Sequence, residues 1–143
     1  MTRVSDLLKL KGRDIWSLPP DATVYEAIDQ MAQKSVGALL VMEGERLVGI
    51  VSERDYARKV ILKGKASQET EVREIMSRPV ICVRPEFTIE ETMALMTEKR
   101  VRHLPVVVED KVMGVISIGD VVRGIIDDKE FYIQQLTNYI THG

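Results

Sequence analysis

A serine and an aspartate three residues apart recur at two places in the chain and have clear chemical potential. Gly49-Ile-Val-Ser-Glu-Arg-Asp55 and Gly114-Val-Ile-Ser-Ile-Gly-Asp120 each read as the end of a strand followed by a helix. The free N–H groups and the positive dipole end of a helix N-terminus suit a phosphate, and the serine hydroxyl can add a donor. A carboxylate can accept from a vicinal diol, as in ribose. Each copy therefore predicts binding of a phosphorylated ribose compound.

The same spacing also has a purely structural interpretation. Ser-x-x-Asp is a capping box, in which serine is the N-cap and the acid reaches back from the first turn. For one copy alone, capping is the commoner use of this pattern. The duplication does not separate the two interpretations, because a structural cap would be copied as well.

The positions of the cationic residues favour phosphate binding, since arginine binds phosphate in bidentate fashion. The alternative is that arginines at helix ends are simply solvated, and a lone histidine is more often half-buried than a ligand. In the second copy a cationic group precedes a strand where the first copy has Ser35, Gly37 and Ala38. The cationic residues in question are Arg54, Arg58, Arg100, Arg102, His103 and Arg123.

Other function classes lack their signatures. The chain has 143 residues and a net charge of −2, so no field of one sign indicates nucleic acid or an anionic membrane. The sequence contains no Walker A loop and no G-x-G-x-x-G, H-E-x-x-H or G-x-S-x-G motif, so it does not predict an enzyme. Two histidines far apart in the sequence and one cysteine do not predict a metal site. The polar N-terminus, the short apolar runs and the single Cys82 predict a cytoplasmic protein.

The two motifs belong to a longer internal repeat, in which the second half of the chain matches the first at a shift of about 65 positions. Each copy predicts a β-α-β-β-α unit: a short extended run, a helix with a capping box, a hairpin and a second helix. The matched pairs include Pro20/Pro85, Thr23/Thr88, Glu26/Glu91, Met31/Met96, Leu39/Leu104, Gly49/Gly114, Ser52/Ser117 and Asp55/Asp120.

The repeat predicts an α+β fold of two units packed with pseudo-two-fold symmetry into one compact module. Residues 1–66 would form the first unit with an N-terminal segment, and residues 67–127 the second. Residues 128–143 would form a C-terminal amphipathic helix, with Phe131, Ile133, Leu136, Tyr139 and Ile140 as its apolar set.

The paired β-α-β-β-α units with Gly-h-h-Ser-x-x-Asp before the second helix (h, apolar) resemble tandem cystathionine-β-synthase (CBS) domains, which form a Bateman module. The resemblance covers about residues 4–127 and extends to Ser52-Glu-Arg-Asp-Tyr-Ala-Arg-Lys59 and Arg102-His-Leu-Pro-Val106. These stretches are similar to those of small stand-alone bacterial proteins with two CBS units. Many family motifs carry threonine where this chain has Ser52 and Ser117, so the hydroxyl is retained.

The resemblance implies an adenosine ligand in a cleft at each motif, with Ser and Asp taking phosphate and ribose. It maps the first cleft to Ile15, Trp16, Val36, Gly37, Ala38, Ser52, Glu53, Arg54 and Asp55. It maps the second cleft to Val80, Ile81, Arg100, Val101, Arg102, His103, Pro105, Ser117, Ile118, Gly119 and Asp120. Because Arg54 faces Gly119 across the repeat, and Gly37-Ala38 faces Arg102-His103, the two clefts are expected to differ.

The implied function is a non-enzymatic sensor of AMP, ADP, ATP or NAD(H), with AMP as the first expectation. It would form a homodimer and act in trans on an unknown protein partner, with no role for nucleic acid, membrane or metal. The alternatives are a ligand-free dimerisation module, an S-adenosylmethionine binder and a nucleotide-hydrolysing enzyme.

Overall fold

The contacts of the chain divide it into two units that do not follow the sequence order. The computed structural model describes the backbone of residues 2–142 and the side chains of residues 2–138. Unit 1 comprises Met1–Asp14 and Cys82–Gly143, and unit 2 comprises Ile15–Ile81. The segment that precedes each copy of the repeat therefore groups with the opposite copy. The boundaries drawn from the repeat, 1–66 and 67–127, differ from this division in those two segments.

Unit 2 holds a three-stranded sheet with its helices. The short first strand pairs in parallel with the second, and the second and third form an antiparallel hairpin with a bulge at Val41/Met42. A 3-10 turn, Val72–Glu74, closes the unit. The elements are β1 (Ser17–Leu18), α2 (Val24–Lys34), β2 (Ala38–Glu43), β3 (Arg46–Ser52) and α3 (Glu53–Tyr56), which continues as a π-helical turn over Ala57–Ile61.

Unit 1 repeats the hairpin and adds a helix at each end. Its two strands are antiparallel with a bulge at Val106/Val107, the position equivalent to the bulge of unit 2. Val83 makes a parallel bridge to Val106, where unit 2 has β1. The elements are α1 (Val4–Lys11), α4 (Ile89–Lys99), β4 (His103–Val108), β5 (Lys111–Ser117) and α5 (Ile118–His142).

The capping boxes predicted for the first helix of each repeat are present. Thr23 Oγ1 accepts from the Glu26 N–H at 3.1 Å, and a Glu26 carboxylate oxygen accepts from the Thr23 N–H at 3.0 Å. Thr88 and Glu91 make the same pair of bonds at the start of α4. Both helices end at the residue before a left-handed position, Ser35 or Arg100. The repeated sequence therefore fixes the repeated helix by local hydrogen bonds.

Helix α5 corrects one prediction from the sequence. The repeat predicted that the second unit ends at residue 127 and that residues 128–143 form a separate amphipathic helix, whereas Ile118–His142 is one continuous helix. No proline interrupts the junction at Asp127, and Gly124 is tolerated within the helix. Tyr139 and Ile140, which were predicted to be part of its apolar set, lie outside the described side chains.

Each unit buries its own apolar side chains. In unit 2 one cluster joins the sheet to α2 and to the 3-10 turn: Leu18, Ala22, Val24, Ala27, Met31, Leu39, Val41, Val51, Val60, Val72 and Ile75. In unit 1 the buried apolar side chains include Val4, Leu7, Leu8, Val83, Ile89, Met96, Leu104, Val106, Ile116 and Val121. Across the described residues, no helix combines the length and apolarity that crossing a membrane requires.

Candidate functional site

In both units the Ser-x-x-Asp motif folds as a complete capping box at the junction of strand and helix. Asp55 Oδ2 accepts from the Ser52 N–H at 2.9 Å and from the Ser52 hydroxyl at 3.0 Å, and Ser52 Oγ accepts from the Asp55 N–H at 3.2 Å. Ser117 and Asp120 repeat these bonds at 2.8, 2.9 and 3.2 Å. The structural interpretation is thus realised twice, and the ligand interpretation stays a prediction.

The hairpin brings the start of its first strand next to each motif. Gly37 C=O accepts from the Glu53 N–H at 3.0 Å, and Ala38 is paired in register with Ser52. The equivalent contacts in unit 1 are the Ile118 N–H on Arg102 C=O at 2.8 Å and His103 opposite Ser117. Because these partners line the serine–aspartate junction, the predicted asymmetry between Gly37-Ala38 and Arg102-His103 lies at the motif itself.

The two motif glycines accept close packing from the segment that precedes the opposite copy. A Cβ on Gly49 would overlap the Met76 side chain, and a Cβ on Gly114 would lie 2.7 Å from Leu8 Cδ2. A glycine inside a strand commonly permits such a close approach, because it has no side chain to obstruct the neighbouring group. Met76 and Leu8 thereby fix the strand that ends at each serine.

Both motif aspartates also bind a lysine that the sequence reasoning missed. Lys59 Nζ lies 3.0 Å from Asp55 Oδ1 and donates to Ile75 C=O at 2.9 Å. Lys11 Nζ lies 2.6 Å from Asp120 Oδ2 and donates to Val115 C=O at 2.8 Å. The i,i+4 spacing of Asp55 and Lys59 was a usable signal. Lys11 is remote from Asp120 in sequence, so only the fold reveals the pair.

The contacts of Asp120 keep its carboxylate ionised. Burial would raise the pKa of Asp120, but hydrogen bonds from Lys11 and from the Ser117 N–H, with the charge of Lys11, more than offset it and lower that pKa. Arg123 adds a bond from Nη2 to Oδ1 at 3.0 Å. An ionised carboxylate is purely an acceptor, which is the state that a diol requires.

The surroundings of His103, which include the same carboxylate, favour its neutral form. Burial and then the positive charge of Lys11 lower the pKa of His103, Asp120 raises it, and Arg102 lowers it further. A neutral imidazole has one donor and one acceptor nitrogen, so His103 can hydrogen-bond to a donor or to an acceptor group of a ligand.

Trp16 precedes β1 in unit 2, and its side chain is half-buried. The Lys34 ammonium lies 4.3 Å from the centre of its ring, a cation–π contact. Trp16 C=O accepts from the Leu40 N–H at 3.1 Å, which ties this segment to the sheet. Ile15 and Val36 are also half-buried in the same unit.

The remaining predicted residues are distributed as follows. Arg100 is the exposed left-handed residue after α4, and Val101 N–H bonds to Met96 C=O at 3.1 Å. Pro105 C=O accepts from the Val83 N–H at 2.9 Å. Gly119 lies in the first turn of α5, and Arg54 in α3. Val80 and Ile81 belong to unit 2 by their contacts, so their place beside the second motif stays a prediction.

A groove of about 410 Å³ in unit 1 borders the Lys11–Asp120 pair. Asp6, Asp127 and Asp128 line its other parts. These carboxylates would repel phosphate, so an anionic group is expected at the helix N-terminus rather than deep in this groove. Within the described part of the chain, no group of three or more His, Cys, Asp or Glu side chains could hold a metal ion.

Comparison with known proteins identifies related sequences and folds. The CBS domain model matches residues 4–62 and 72–127. The CBS domain-containing protein CBSX3, mitochondrial, of Arabidopsis thaliana is 41% identical over 152 residues, which cover 99% of this chain and 73% of the relative. A putative signal-transduction protein with CBS domains from Burkholderia ambifaria is 49% identical, with a TM-score of 0.86, covering 89% of this chain and 96% of that one.

A more distant structure shares the fold. It is a CBS domain pair solved in complex with 5′-methylthioadenosine and S-adenosyl-L-methionine, 22% identical with a TM-score of 0.80, covering 90% of this chain and 98% of that one. At this identity the likeness concerns the fold alone.

Proposed function

The chain belongs to the CBS-domain family, whose paired domains are regulatory ligand-binding modules, and we propose that this pair binds an adenine nucleotide through its two Ser-x-x-Asp motifs. The observation that carries the proposal is the same in both units: a helix begins at a serine, and the motif aspartate is hydrogen-bonded in place beside it. AMP is the first candidate, and ADP, ATP and NAD(H) are the others.

The chemistry of the motif supports this ligand class. The first N–H groups of the helix with the Ser52 or Ser117 hydroxyl suit a phosphate. Asp55 or Asp120 would accept the ribose hydroxyls. The distant CBS pair of the same fold was solved with two compounds that both contain adenosine, which agrees with this class but does not single out a nucleotide.

Half-buried apolar residues that the family resemblance assigns to the two clefts are candidates for contact with the adenine ring. Ile15, Trp16 and Val36 would serve the first site, and Val80 and Ile81 the second. Arg54 in the first site, and Arg102 with His103 in the second, would give the two sites different preferences for phosphate number or for a dinucleotide.

As a regulator the protein would act without catalysis, in trans on a partner protein. Nucleotide binding would shift an equilibrium between two conformations in proportion to its differential affinity for them. The expected compartment is the cytoplasm, although the relative from Arabidopsis thaliana is named mitochondrial.

Native mass spectrometry of the freshly purified protein, followed by calorimetry with AMP, ATP, NADH and S-adenosylmethionine, tests the proposal. We expect a co-purified adenine nucleotide or heat of binding from at least one nucleotide. If none of the three nucleotides binds at millimolar concentration, the proposal is wrong, and binding of S-adenosylmethionine alone would favour that alternative. Turnover of ATP or NADH that persists through extensive purification would instead favour an enzyme.

A second candidate function, a dimerisation module, is favoured by the exposed apolar face of α5. Val122, Ile126, Ile133 and Leu136 fall on one face of the helix and are 39%, 48%, 60% and 45% exposed. Ile126 and Ile133 lie seven residues apart with Leu136 three further on, which is the spacing of a coiled-coil seam. We propose the same helix of a second copy as the partner, because two identical helices can bury their identical apolar seams against each other. Nucleotide binding and dimerisation are compatible.

A further inference from the structure

The lysine that pairs with the motif aspartate comes from a different helix in each unit, and it contacts a different carboxylate oxygen. This difference distinguishes the two sites. In unit 2 the lysine comes from the helix that the motif begins: Lys59, one turn after Asp55, binds Asp55 Oδ1 and is held by Ile75 C=O. Its ammonium therefore lies on the side of the carboxylate away from Ser52, whose N–H and hydroxyl occupy Oδ2.

Unit 1 cannot supply a lysine in this way. The position equivalent to Lys59 is Gly124, where a Cβ would already lie 3.0 Å from Leu7 Cδ2. The cation comes instead from the last residue of α1, Lys11, which reaches Asp120 Oδ2. Leu8 under Gly114 anchors that helix to the strand, so the lysine is delivered by a fixed element.

Both oxygens of the Asp120 carboxylate already accept hydrogen bonds, and Oδ2 is the more crowded of the two. Oδ2 accepts from Lys11 and from both donors of Ser117, and Oδ1 accepts from Arg123. The Ser117 bonds are the helix cap, so a diol that uses both oxygens must displace Lys11 from Oδ2, while Oδ1 can still accept beside Arg123. Arg123 adds a bond to Asp120 that its counterpart in the repeat, Arg58, does not make to Asp55 within the described part of the chain, but Arg123 belongs to α5 itself, whereas Lys11 comes from another helix.

The displaced ammonium would remain beside the phosphate position. Lys11 Nζ and Ser117 Oγ contact the same oxygen, Asp120 Oδ2, at 2.6 and 2.9 Å. A lysine ammonium is a compact charge with three rotatable donors and binds phosphate as a point charge. A short movement away from Asp120 would therefore bring Lys11 to an anion held at the α5 N-terminus.

We propose that Lys11 determines the specificity of the unit 1 site: ribose takes Asp120, the released ammonium binds the phosphate, and the site selects AMP over adenosine. This inference rests on the proposed function, because it assigns a role within the same site.

The test compares AMP with adenosine by calorimetry in a chain whose unit 2 motif is disabled by Asp55→Ala. In that background Lys11→Met keeps the aliphatic stem and removes the charge. We expect the adenosine-to-AMP ratio of Kd to fall about tenfold or more, since a charge-assisted hydrogen bond is lost. Release of Asp120 affects both ligands equally, so the ratio isolates the phosphate contact.

Two further variants separate a specific role from a structural one. Lys9→Met, on the same helix, makes the same change of charge and should leave the ratio within about twofold, because screening weakens a distant exposed charge. Lys11→Arg should restore most of the preference for AMP. If Lys11→Met lowers both affinities in parallel, or changes neither, the inference is wrong while the proposed function stands. If the Asp55→Ala chain and the wild type bind neither ligand, both are wrong.

Discussion

Leu8 packs against Gly114 so closely that a Cβ at the glycine would lie 2.7 Å from the Leu8 Cδ2 methyl. Met76 occupies the equivalent place against Gly49 and presents three atoms, including its own Cβ at 3.2 Å. The glycine of each motif is therefore required by packing from a segment that the repeat assigns to the other copy.

Substituting the two glycines should have unequal effects. Gly49→Ala would force Met76 aside and should cost about 1–3 kcal/mol of unfolding free energy, as overpacking does. Gly114→Ala meets only the end of a leucine side chain and should cost less. Chemical denaturation of both variants measures the difference.

Two controls make this prediction specific. Gly119→Ala, whose Cβ would meet only Ser117 Oγ at 3.6 Å, should be neutral or stabilising, by up to about 1 kcal/mol in a helix. Met76→Ala should rescue part of the loss in Gly49→Ala. A Gly49→Ala chain as stable as the wild type would contradict the packing.

The buried imidazole should make stability depend on pH near neutrality. Burial and the charge of Lys11 hold the pKa of His103 below 6.5 in the folded state, so the unfolded chain binds more protons just below that pH. The free energy of unfolding should therefore rise with pH up to about 6.5, by at most about 1.4 kcal/mol per pH unit for this one group.

His103→Gln should flatten the profile between pH 5 and 6.5 and leave it unchanged above pH 7. Urea denaturation across that range is the measurement, with wild type and variant in the same buffers. His142 is the other histidine in the sequence, so His142→Gln serves as the control and should retain the slope. Parallel profiles for wild type and His103→Gln would show that His103 does not carry this dependence.

The exposed face of α5 should control the oligomeric state. Ile133→Asp places a charge in the proposed seam and should convert a dimer to a monomer in analytical ultracentrifugation, because an unpaired charge is costly to bury. Gln135→Asp, on the opposite face, should leave the dimer intact. A monomeric wild type at high micromolar concentration, or an Ile133→Asp dimer of unchanged affinity, would exclude this face as the interface.

The local features of the fold could be predicted from the sequence. The Thr23 and Thr88 capping boxes and the two hairpins depend on residues within a few positions of each other. Each copy of the repeat carries the same caps, so the two copies predict the same elements. The predicted end of the second helix in the second copy is wrong, because the end of a sequence repeat is not a signal that ends a helix.

The long-range features could not be predicted in this way. The Lys11–Asp120 bond joins residues 109 positions apart, and a single sequence contains no local signal for it. In unit 1, Lys11 takes the role that Lys59 has in unit 2, and this replacement likewise depends on where α1 packs. Comparing the repeat copies does show that Gly124 stands in place of Lys59, which marks the position where compensation would be needed.

The most direct test of the central claim is titration of AMP into four single variants by calorimetry. Asp55→Ala and Asp120→Ala remove the proposed ribose acceptors, whereas Glu26→Ala and Glu91→Ala remove the equivalent acid from the capping boxes of α2 and α4. All four variants lose a helix-capping hydrogen bond, so the loss of a cap cannot by itself produce a difference between the two pairs. Only Asp55→Ala and Asp120→Ala should weaken AMP binding, by about 1.5–3 kcal/mol at the altered site. If AMP affinity is unchanged in Asp55→Ala and in Asp120→Ala, the motifs are helix caps only, and the nucleotide site lies elsewhere or does not exist.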